Sequence, residues 1–324
     1  MLSGLIDQDL KPREPLVADL EGDVQLEVGV EATEAALIDA LGGTNVLFTT
    51  SRLPVTETVL EAATDLELVA KIGTGIDSID LDAAAEHDVT VVYTPGLNAL
   101  AVAEHAVSLL LAVNRNVLRG QRTIEAGGWR DEMPLSRSLT GQTIGIVGFG
   151  NVGKRVAGLL DGFHTETLAF DPYVHEIDTQ ITGTTLLELE ELLARADSVV
   201  VTAALTDETR GMIDADALES LDDDAVLVNT SRGAIVDQPA LLEAIRDGSI
   251  GGAGLDAFET EPLPEDSPFR DHDNVVLTPH IAATTREYRH SAVETLAELT
   301  TAHIEGSDLP DRFVAVRPTE RPVD

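Results

Sequence analysis

Residues 143–153 read TIGIVGFGNVG, an apolar segment that runs into three glycines at the spacing GxGxxG. This spacing predicts a tight turn at Gly148, close approach of a phosphate group at Gly150 and tight packing of the next helix at Gly153. The start of that helix would offer free N–H groups and the positive end of its dipole to the phosphate. The apolar strand before the glycines and the helical pattern after them predict a dinucleotide-binding β–α unit.

An acidic residue follows at the end of the next predicted strand. Asp171 closes the segment ETLAFD, 18 residues after Gly153. A carboxylate at this position accepts hydrogen bonds from the adenosine ribose and repels a 2′-phosphate. No arginine follows Asp171 directly, so the sequence favours NAD and leaves NADP open. The backbone of Asn151 and Val152, at the start of the predicted helix, is expected to contact the pyrophosphate.

Short apolar runs alternate with helical patterns along most of the chain. This alternation predicts an α/β protein whose parallel sheets are doubly wound, with helices on both faces. The predicted strands are Val46–Thr49, Leu66–Ile72, Val89–Tyr93, Thr143–Val147, Thr167–Phe170, Ser198–Thr202, Ala225–Asn229, Gly252–Leu255 and Val275–Leu277. The predicted shorter helices are Val55–Ala63, Leu186–Ala194 and Pro239–Arg246.

Two longer helical segments divide the chain into two predicted domains. Asn98–Val117 is apolar on almost every side, which predicts a helix buried between domains or subunits, and Glu287–His303 is amphipathic. If both segments cross between domains, the first domain comprises residues 1–97 and 287–324, and the second comprises residues 98–286. The closing sequence RPTERPVD is predicted to be frayed.

The composition limits the class of protein. The chain has 324 residues, 43% of them hydrophobic, which is enough for two domain cores. It contains no cysteine, which excludes disulfides and thiolate metal sites, and its eight histidines form no cluster that predicts a metal site. No apolar run is long enough to span a membrane, and the start, MLSGLIDQDLKPREP, lacks the pattern of a signal peptide. These features predict a cytoplasmic protein without a membrane partner.

The chain is strongly acidic. It contains 58 Asp and Glu against 21 Lys and Arg, a net charge of −37, and its only lysines are Lys11, Lys71 and Lys154. An acidic disordered protein would have few apolar residues, and a binder of basic partners would concentrate its acid in one block. Carboxylates spread along an apolar-patterned chain favour instead a halophilic surface that stays hydrated and attracts salt cations. Such a surface repels nucleic acid.

Six motifs follow one another: KIGTGIDSID (71–80), YTPGLNALAVAEH (93–105), GIVGFGNVG (145–153), NTSRG (229–233), GLDAFETEPL (254–263) and LTPHIAATT (277–285). Together they resemble the D-isomer-specific 2-hydroxyacid dehydrogenases, from about Val46 to about Thr285. The resemblance implies a Rossmann-like cofactor domain inserted in a flavodoxin-like substrate domain, with the active site in the cleft between them. It also implies a homodimer that pairs through the cofactor domain.

The resemblance assigns catalytic roles to three residues. His280 matches the general acid/base, Glu261 its carboxylate partner, and Arg232 the residue that holds the substrate carboxylate and polarises its C2 carbonyl. These residue types suit reduction of a 2-keto acid, because histidine titrates near neutral pH and the guanidinium fork fits a carboxylate bidentately. Relatives that dehydrogenate formate carry glutamine in place of the glutamate, so Glu261 argues against that reaction.

The resemblance also implies contacts with substrate and cofactor. The loop expected to bind the substrate carboxylate through its backbone N–H groups comprises Ile72, Gly73, Thr74 and Gly75, and Asn98 is expected beside it. Asp256 matches the acid that hydrogen-bonds the nicotinamide carboxamide. The further cofactor contacts implied are Ala203, Thr209, Thr230, Ser231, His280 and Ala282. The chain departs from the common pattern at Thr202, Ala204 and Ala282, where relatives often have His, Pro and Gly.

Alternatives to an active D-2-hydroxyacid dehydrogenase of unassigned 2-keto acid preference remain open. They are a phosphoglycerate or hydroxypyruvate/glyoxylate-type reductase, and a non-catalytic NAD-sensing binding protein. Phosphate binding needs cations, and the segment SRLPVT offers Arg52 but has Thr50 where a second arginine would be expected. On the apolar helix, His105 is interpreted as a structural, hydrogen-bonded histidine. Trp129 is interpreted as a packing residue, with cover for the substrate or for a dimer neighbour as the alternatives.

Overall fold

The computed structural model describes residues 1–318, and residues 319–324, which make up most of the predicted frayed tail, lie outside the described part. The chain divides into two compact units. Unit 1 comprises Met1–Asn98 and Thr284–Asp324, and unit 2 comprises Ala99–Ala283. Arg317, the first residue of the predicted tail, forms an ion pair with Asp311 at 2.9 Å.

The strands, in chain order, are β1 (Leu2–Ile6), β2 (Val24–Val28), β3 (Val46–Thr49), β4 (Leu68–Lys71), β5 (Thr90–Tyr93), β6 (Thr143–Val147), β7 (Glu166–Phe170), β8 (Thr185–Leu186), β9 (Ser198–Val201), β10 (Val226–Asn229), β11 (Gly252–Leu255), β12 (Val275–Leu277) and β13 (Val314–Val316). The α-helices are α1 (Glu14–Asp19), α2 (Glu34–Leu41), α3 (Glu57–Ala62), α4 (Leu81–Glu86), α5 (Ala99–Asn114), α6 (Val117–Glu125), α7 (Asn151–Asp161), α8 (Glu176–Thr179), α9 (Leu189–Arg195), α10 (Ala215–Glu219), α11 (Gln238–Asp247) and α12 (Arg286–Ile304). Short 3-10 helices occupy Arg130–Glu132, Gly233–Ile235, Pro268–Asp271 and Asp311–Phe313.

Unit 1 is built on a six-stranded sheet with the order β13-β5-β4-β3-β1-β2. Strands β1 to β5 are parallel, in the order 2-1-3-4-5 of flavodoxin-like folds, and β13 pairs antiparallel with β5. Every residue of β3 and β4 is buried, as expected for parallel strands covered on both faces. Ligands of such sheets bind beyond the carboxyl ends of the strands, which here lead into Asp7, Thr50, Ile72 and Thr94.

Unit 2 is built on a seven-stranded parallel sheet with the order β12-β11-β10-β9-β6-β7-β8. Numbered from β6, this is the Rossmann order 3-2-1-4-5-6 with β12 added at one edge. The strand order reverses between β6 and β9, where β6 leads into Gly148 and β9 leads into Thr202. Dinucleotides bind at this switch point in Rossmann folds. The topology of the two sheets confirms the predicted α/β class with two doubly wound parallel sheets.

The predicted strands are all present, and their ends differ from the prediction by at most two residues. The predicted helix Asn98–Val117 is wrong at its carboxyl end, because Asn116 adopts a left-handed φ of 52° that separates α5 from α6. The apolar side chains of α5 pack within unit 2, on α7, β10 and β11, which accounts for the pattern that suggested a position between domains or subunits. The predicted helix Leu186–Ala194 starts only at Leu189, because Leu186 belongs to β8.

Several elements were not predicted from the sequence, among them β1, β2, β8 and β13. Trp129 was interpreted as a packing residue but is 65% exposed in the single chain, so that interpretation is wrong there.

No helix in the described part of the chain combines the length and apolar character that a membrane-spanning helix requires.

Candidate active site

The glycine loop of unit 2 joins β6 to α7, and packing restricts two of its glycines. Gly148 has a φ of 91°, and an added Cβ would lie less than 3.0 Å from the backbone of Ala203. A Cβ at Gly153 would lie less than 3.0 Å from the carbonyl oxygen of Gly148. Any side chain at either position would therefore push β6, α7 and the Ala203 loop apart.

Gly150 differs from its neighbours because an added Cβ would meet no atom within 4 Å. It is the N-cap of α7, whose first N–H groups, those of Asn151 and Val152 included, have no acceptor within the helix. Open space in front of free N–H groups and a positive dipole end suits the pyrophosphate of a dinucleotide. Elsewhere in unit 2, the buried hydroxyl of Thr230 lacks a hydrogen-bond partner among the described residues, which leaves a polar group for the cofactor.

Asp171 lies directly after β7, and two backbone donors orient its carboxylate. Oδ2 accepts the N–H of Phe149 at 2.8 Å, and Oδ1 accepts the N–H of Tyr173 at 3.0 Å. The first bond fixes the acid to the glycine loop itself. Each carboxylate oxygen has a further lone pair, and the residue is partly exposed, so Asp171 can still accept bonds from ribose hydroxyls.

His280 and Glu261 form a hydrogen-bonded pair in unit 2. Nδ1 of His280 lies 2.8 Å from Oε2 and 3.0 Å from Oε1 of Glu261, and each side chain is 38% exposed. The carboxylate also accepts the N–H of Phe258 at 2.9 Å, which fixes its position. Because Nδ1 is the donor to Glu261, Nε2 is the ring atom left for a reacting group.

The surroundings keep Glu261 ionised. Burial alone would raise the pKa of Glu261, but the hydrogen bond and charge of His280 lower it below its ordinary value. The N–H of Phe258 and the positive charge of Arg232 lower it further. The ionised carboxylate is the acceptor that holds the His280 ring through Nδ1. The pair therefore has the arrangement of a general acid/base and its orienting carboxylate.

The loop that carries Arg232 is held by the fully buried Asn229 at the end of β10. The amide of Asn229 donates to the Arg232 carbonyl at 2.9 Å and accepts the N–H of Ser231 at 3.0 Å. Gly233 comes next, and an added Cβ there would lie less than 3.0 Å from the backbone of Phe258. This close packing holds the Arg232 loop against the loop of Glu261, in agreement with the charge interaction between the two side chains.

Asp256 is buried and accepts several hydrogen bonds within unit 2. Its carboxylate is 1% exposed and accepts the hydroxyl of Thr278 at 2.6 Å and the N–H groups of Ile281 and Ala282 at 2.9 Å each. His105 Nε2 lies 3.0 Å from the Thr278 hydroxyl and 3.5 Å from the Asp256 carboxylate. Since Thr278 gives its proton to Asp256, His105 is the donor to Thr278. This agrees with the interpretation of His105 as a structural histidine.

These bonds surround His280, whose φ of 51° is left-handed and costs about 1–2 kcal/mol for a residue with a Cβ. Asp256 binds the chain on both sides of His280 and so stabilises this conformation. These bonds give Asp256 a positioning role toward the His280 segment, and its predicted acceptance of a hydrogen bond from the nicotinamide carboxamide stays a prediction. The N–H of Ala282, another predicted cofactor contact, is also used by Asp256.

We expect Asp256→Asn to lower both stability and turnover. Burial would raise the pKa of Asp256, but the nearby His105 ring and the hydrogen bonds from Thr278 and the two N–H groups lower it below its ordinary value of 3.8. The wild type therefore gains stability from Asp256 above that pH and loses it as pH falls through the lowered pKa. Loss of a charged acceptor should cost about 1.5–3 kcal/mol of unfolding free energy at pH 7.

Urea unfolding at pH 7 measures this difference, and Asp247→Asn, at an exposed position of the same unit, is the control. The control should change stability by less than about 0.5 kcal/mol. Wild-type stability and turnover in Asp256→Asn would show that the carboxylate does not hold the His280 segment.

The expected substrate loop of unit 1 is only partly available. The N–H of Ile72 donates to the Thr49 carbonyl at 3.0 Å, and the N–H of Gly73 donates to the Thr94 hydroxyl at 2.8 Å. Both N–H groups therefore already have acceptors within unit 1. The contacts of Ile72, Gly73, Thr74 and Gly75 with the substrate carboxylate stay a prediction.

Asn98 also belongs to unit 1, where the Thr74 hydroxyl donates to its amide oxygen at 2.9 Å. The same hydroxyl accepts the N–H of Gly96 at 3.1 Å. These bonds connect the turn after β4 to the turn after β5 and leave the donor end of the Asn98 amide outside the pair. The expected contact of Asn98 with substrate remains a prediction.

Three further predicted cofactor residues, Ala203, Thr209 and Ser231, lie in the loops that follow β9 and β10. The Ser231 hydroxyl donates to the Ala203 carbonyl, and Ala203 packs against Gly148. The Thr209 hydroxyl donates to the Ala204 carbonyl at 2.6 Å, so its proton is used inside the loop.

Residues 1–318 contain no cluster of His, Asp and Glu that could hold a metal ion.

Comparison with known proteins identifies the family. Residues 107–282 match the model of the D-isomer specific 2-hydroxyacid dehydrogenase, NAD binding domain. The chain is 38% identical over 273 residues to a glyoxylate reductase from Korarchaeum cryptofilum, and the match covers 82% of each chain. It is 35% identical over 302 residues to a D-3-phosphoglycerate dehydrogenase from Archaeoglobus fulgidus, covering 93% of this chain but only 56% of that relative.

The fold is similar to that of solved members. A crystal structure of D-lactate dehydrogenase from Aquifex aeolicus, complexed with NAD and lactic acid, matches with a TM-score of 0.87 and 26% identity, over 98% of this chain and 100% of that one. The chain therefore belongs to the D-isomer specific 2-hydroxyacid dehydrogenase family, and unit 2 contains its NAD-binding domain. The predicted fold class, family and NAD cofactor are confirmed.

Proposed function

We propose that this chain catalyses the reversible, NAD(H)-dependent reduction of 2-keto acids to D-2-hydroxy acids. The observation that carries the proposal is the His280–Glu261 hydrogen bond at 2.8 Å, with the charge of Arg232 acting on the same carboxylate. These contacts suit proton transfer to and from a keto acid. Non-catalytic, NAD-sensing members of this family can keep the same residues, so that alternative stays open and the turnover assay described below decides it.

The proposed chemistry follows from these three side chains. Bound NADH supplies a hydride to C2 of the keto acid. Arg232 binds the substrate carboxylate through its planar fork and polarises the adjacent carbonyl. His280 donates a proton from Nε2 to the oxygen that becomes the hydroxyl, while Glu261 holds the ring through Nδ1. Oxidation of the hydroxy acid runs the same steps backwards, with neutral His280 accepting the proton.

Asp171 is proposed to select NAD over NADP. Asp171→Asn removes the charge and keeps the size, so we expect the preference for NADH over NADPH, as a ratio of kcat/KM, to fall about ten- to hundredfold. Steady-state rates with both cofactors at fixed salt give the ratio, and Asp161→Asn, at an exposed position on α7, is the control. A wild type that already prefers NADPH several-fold would remove this role from Asp171.

The substrate is proposed to be a small, unphosphorylated 2-keto acid. Arg52, the cation considered for a substrate phosphate, donates from Nε and Nη2 to the buried carboxylate of Asp7 at 3.1 and 2.6 Å and lies 3.2 Å from Asp9. Two carboxylates therefore neutralise this guanidinium. This favours a glyoxylate- or hydroxypyruvate-type keto acid over phosphoglycerate chemistry, although the relatives described above carry both names.

The test is NADH consumption with pyruvate, glyoxylate, hydroxypyruvate and phosphohydroxypyruvate. We expect the unphosphorylated acids to give the higher kcat/KM. A clear preference for phosphohydroxypyruvate would favour the phosphoglycerate alternative, and no turnover with any 2-keto acid would favour the NAD-sensing alternative.

The active form is proposed to be a homodimer that pairs through unit 2. Residues 117–135, which begin with α6, expose several large apolar side chains. Helix α6 itself contains no buried residue. Val117, Ile124, Trp129 and Leu135 are 57%, 55%, 65% and 99% exposed. A concentration of exposed apolar groups on one segment is typical of an interaction surface. Sedimentation equilibrium at the mass of one chain, 34.4 kDa, would contradict this proposal.

The acidic surface is proposed to belong to a cytoplasmic protein of an extreme halophile, with salt cations as its partners. The net charge of −37 motivates this proposal. We expect molar KCl to be required for activity, and dialysis into dilute buffer to cause unfolding, because unscreened carboxylates repel one another. Circular dichroism and activity as a function of KCl measure the effect. Full activity and an unchanged melting temperature in dilute buffer would contradict the halophilic interpretation.

A further inference from the structure

A pocket of about 490 Å³ in unit 1 carries a concentration of positive charge that the proposed reaction does not use. Four of its eight lining residues are cations: Lys11, Arg13, Arg286 and Arg289. Only 21 of the 324 residues of the chain are Lys or Arg, and Lys11 is one of three lysines. The volume lies within the usual range for small-molecule sites.

The cations come from two distant parts of the sequence. Lys11 and Arg13 lie between β1 and α1, while Arg286 and Arg289 lie in the first turns of α12. Thr285 is the N-cap of that 19-residue helix, and its hydroxyl accepts the N–H of Tyr288 at 3.3 Å. The fold therefore brings four positive side chains to the positive end of a helix dipole.

This arrangement is electrostatically unfavourable without a counter-charge. Cations in the first turns of a helix oppose its dipole, and the four like charges repel one another. None of the four forms an ion pair with a carboxylate among residues 1–318. Glu14 also lines the pocket, but its carboxylate accepts the backbone N–H of Arg13 at 3.0 Å.

Arg13 is only partly satisfied by its neighbours in the chain. Its guanidinium donates to the Gln8 carbonyl, while its buried Nε has no acceptor in the described part of the chain. A chain with 58 acidic residues could have provided carboxylates here, yet it presents one against four cations.

We infer that this pocket is an anion-binding site for a small molecule that carries a phosphate group. A dianionic phosphate offers several acceptor oxygens to match guanidinium forks and a lysine, whereas a single carboxylate would satisfy only one or two of these groups. The pocket shares no residue with the His280–Glu261–Arg232 set, and the inference does not depend on the proposed reaction. Free phosphate and an organic phosphate monoester present the same chemistry.

The test is titration of the full chain with inorganic phosphate and with glycerol 3-phosphate, at constant ionic strength set with KCl. Binding is followed by the shift of the melting temperature, because a ligand that binds only the folded state stabilises it. We expect saturable stabilisation of the wild type. A lower Kd for glycerol 3-phosphate assigns the site to a phosphate monoester, and a lower Kd for inorganic phosphate assigns it to the free ion.

The variant Arg286→Gln/Arg289→Gln should bind either probe at least about tenfold more weakly, since each charge-assisted contact contributes about that much or more. Without phosphate, the same variant should melt at the wild-type temperature or above it, because it relieves repulsion among the cations. The control, Arg130→Gln/Arg246→Gln, removes the same charge from exposed positions of unit 2 and should bind like the wild type.

Three results would overturn the inference. They are no saturable response of the folded wild type to either probe, equal phosphate affinity in the wild type and the pocket variant, and tighter binding of citrate than of both phosphates. A pocket variant that melts well below the wild type without any ligand would assign the arginines a structural role instead.

Discussion

His280→Asn should reduce turnover about 10²–10⁴-fold while leaving the fold unchanged, as expected when a positioned acid/base is removed. Asparagine is the suitable replacement, because position 280 has a φ of 51° and asparagine tolerates the left-handed region. The variant therefore removes the ring without straining the segment that Asp256 holds. Single-turnover reduction of a keto acid with NADH measures the loss directly.

Glu261→Gln is the companion variant, since it keeps the shape of the side chain and removes its charge. The surroundings lower the pKa of Glu261, so the wild-type carboxylate stays ionised at neutral pH and accepts the bond from His280 Nδ1. Without that charged acceptor, turnover should fall at neutral pH in both directions, and the loss of wild-type activity as pH falls through the lowered pKa of Glu261 should be absent from the variant's pH–rate profile. Wild-type turnover with an unchanged acid limb in Glu261→Gln would show that the ionised carboxylate does not orient His280. Turnover of His280→Asn within a few-fold of wild type would remove the acid/base role.

Gly153→Ala should unfold unit 2 at much lower urea than the wild type. The new Cβ would lie less than 3.0 Å from the Gly148 carbonyl, which is backbone and cannot rotate away. Overpacking of this kind costs about 1–3 kcal/mol or more. Urea denaturation followed by circular dichroism measures the change, and NADH binding should be lost together with stability.

Two further glycines provide matched controls in the same segment. An alanine at Gly158, within α7, would meet no atom within 4 Å, so it should stabilise the chain by about 0.5–1 kcal/mol. Gly150→Ala also meets open space, so it should fold normally but bind NADH more weakly, because the methyl group occupies the proposed pyrophosphate site. Equal stability of Gly153→Ala and Gly158→Ala would contradict the packing described here.

The parts of the site that could be predicted depend on residues that lie close together in the sequence, within one motif. GxGxxG predicts its own turn because glycine is required at fixed offsets, and the order of strands and helices then predicts the parallel sheets. The roles of His280, Glu261 and Arg232 came from motifs, and the structure places His280 and Glu261 in hydrogen-bond contact and Arg232 close enough to lower the pKa of Glu261.

The parts that could not be predicted depend on partners distant in sequence. The N–H of Gly73 donates to the hydroxyl of Thr94, 21 residues away and directly after β5, and no local pattern indicates that bond. Asp256 was assigned to the cofactor because a motif contains it, but its bonds to Thr278 and Ala282 exist only once β11 and β12 are paired. Likewise, the pocket of Lys11 and Arg289 forms only when two segments more than 270 residues apart meet.

The most direct measurement is the configuration of the product formed by the purified chain from pyruvate and NADH in molar KCl. Chiral chromatography of the lactate, with NADH consumption followed in parallel, tests the reaction type and its stereochemistry together. We predict D-lactate in one-to-one proportion to NADH consumed, and essentially none with His280→Asn. L-lactate or a racemic mixture from a folded, NADH-binding wild type would contradict the proposed D-2-hydroxyacid dehydrogenase activity.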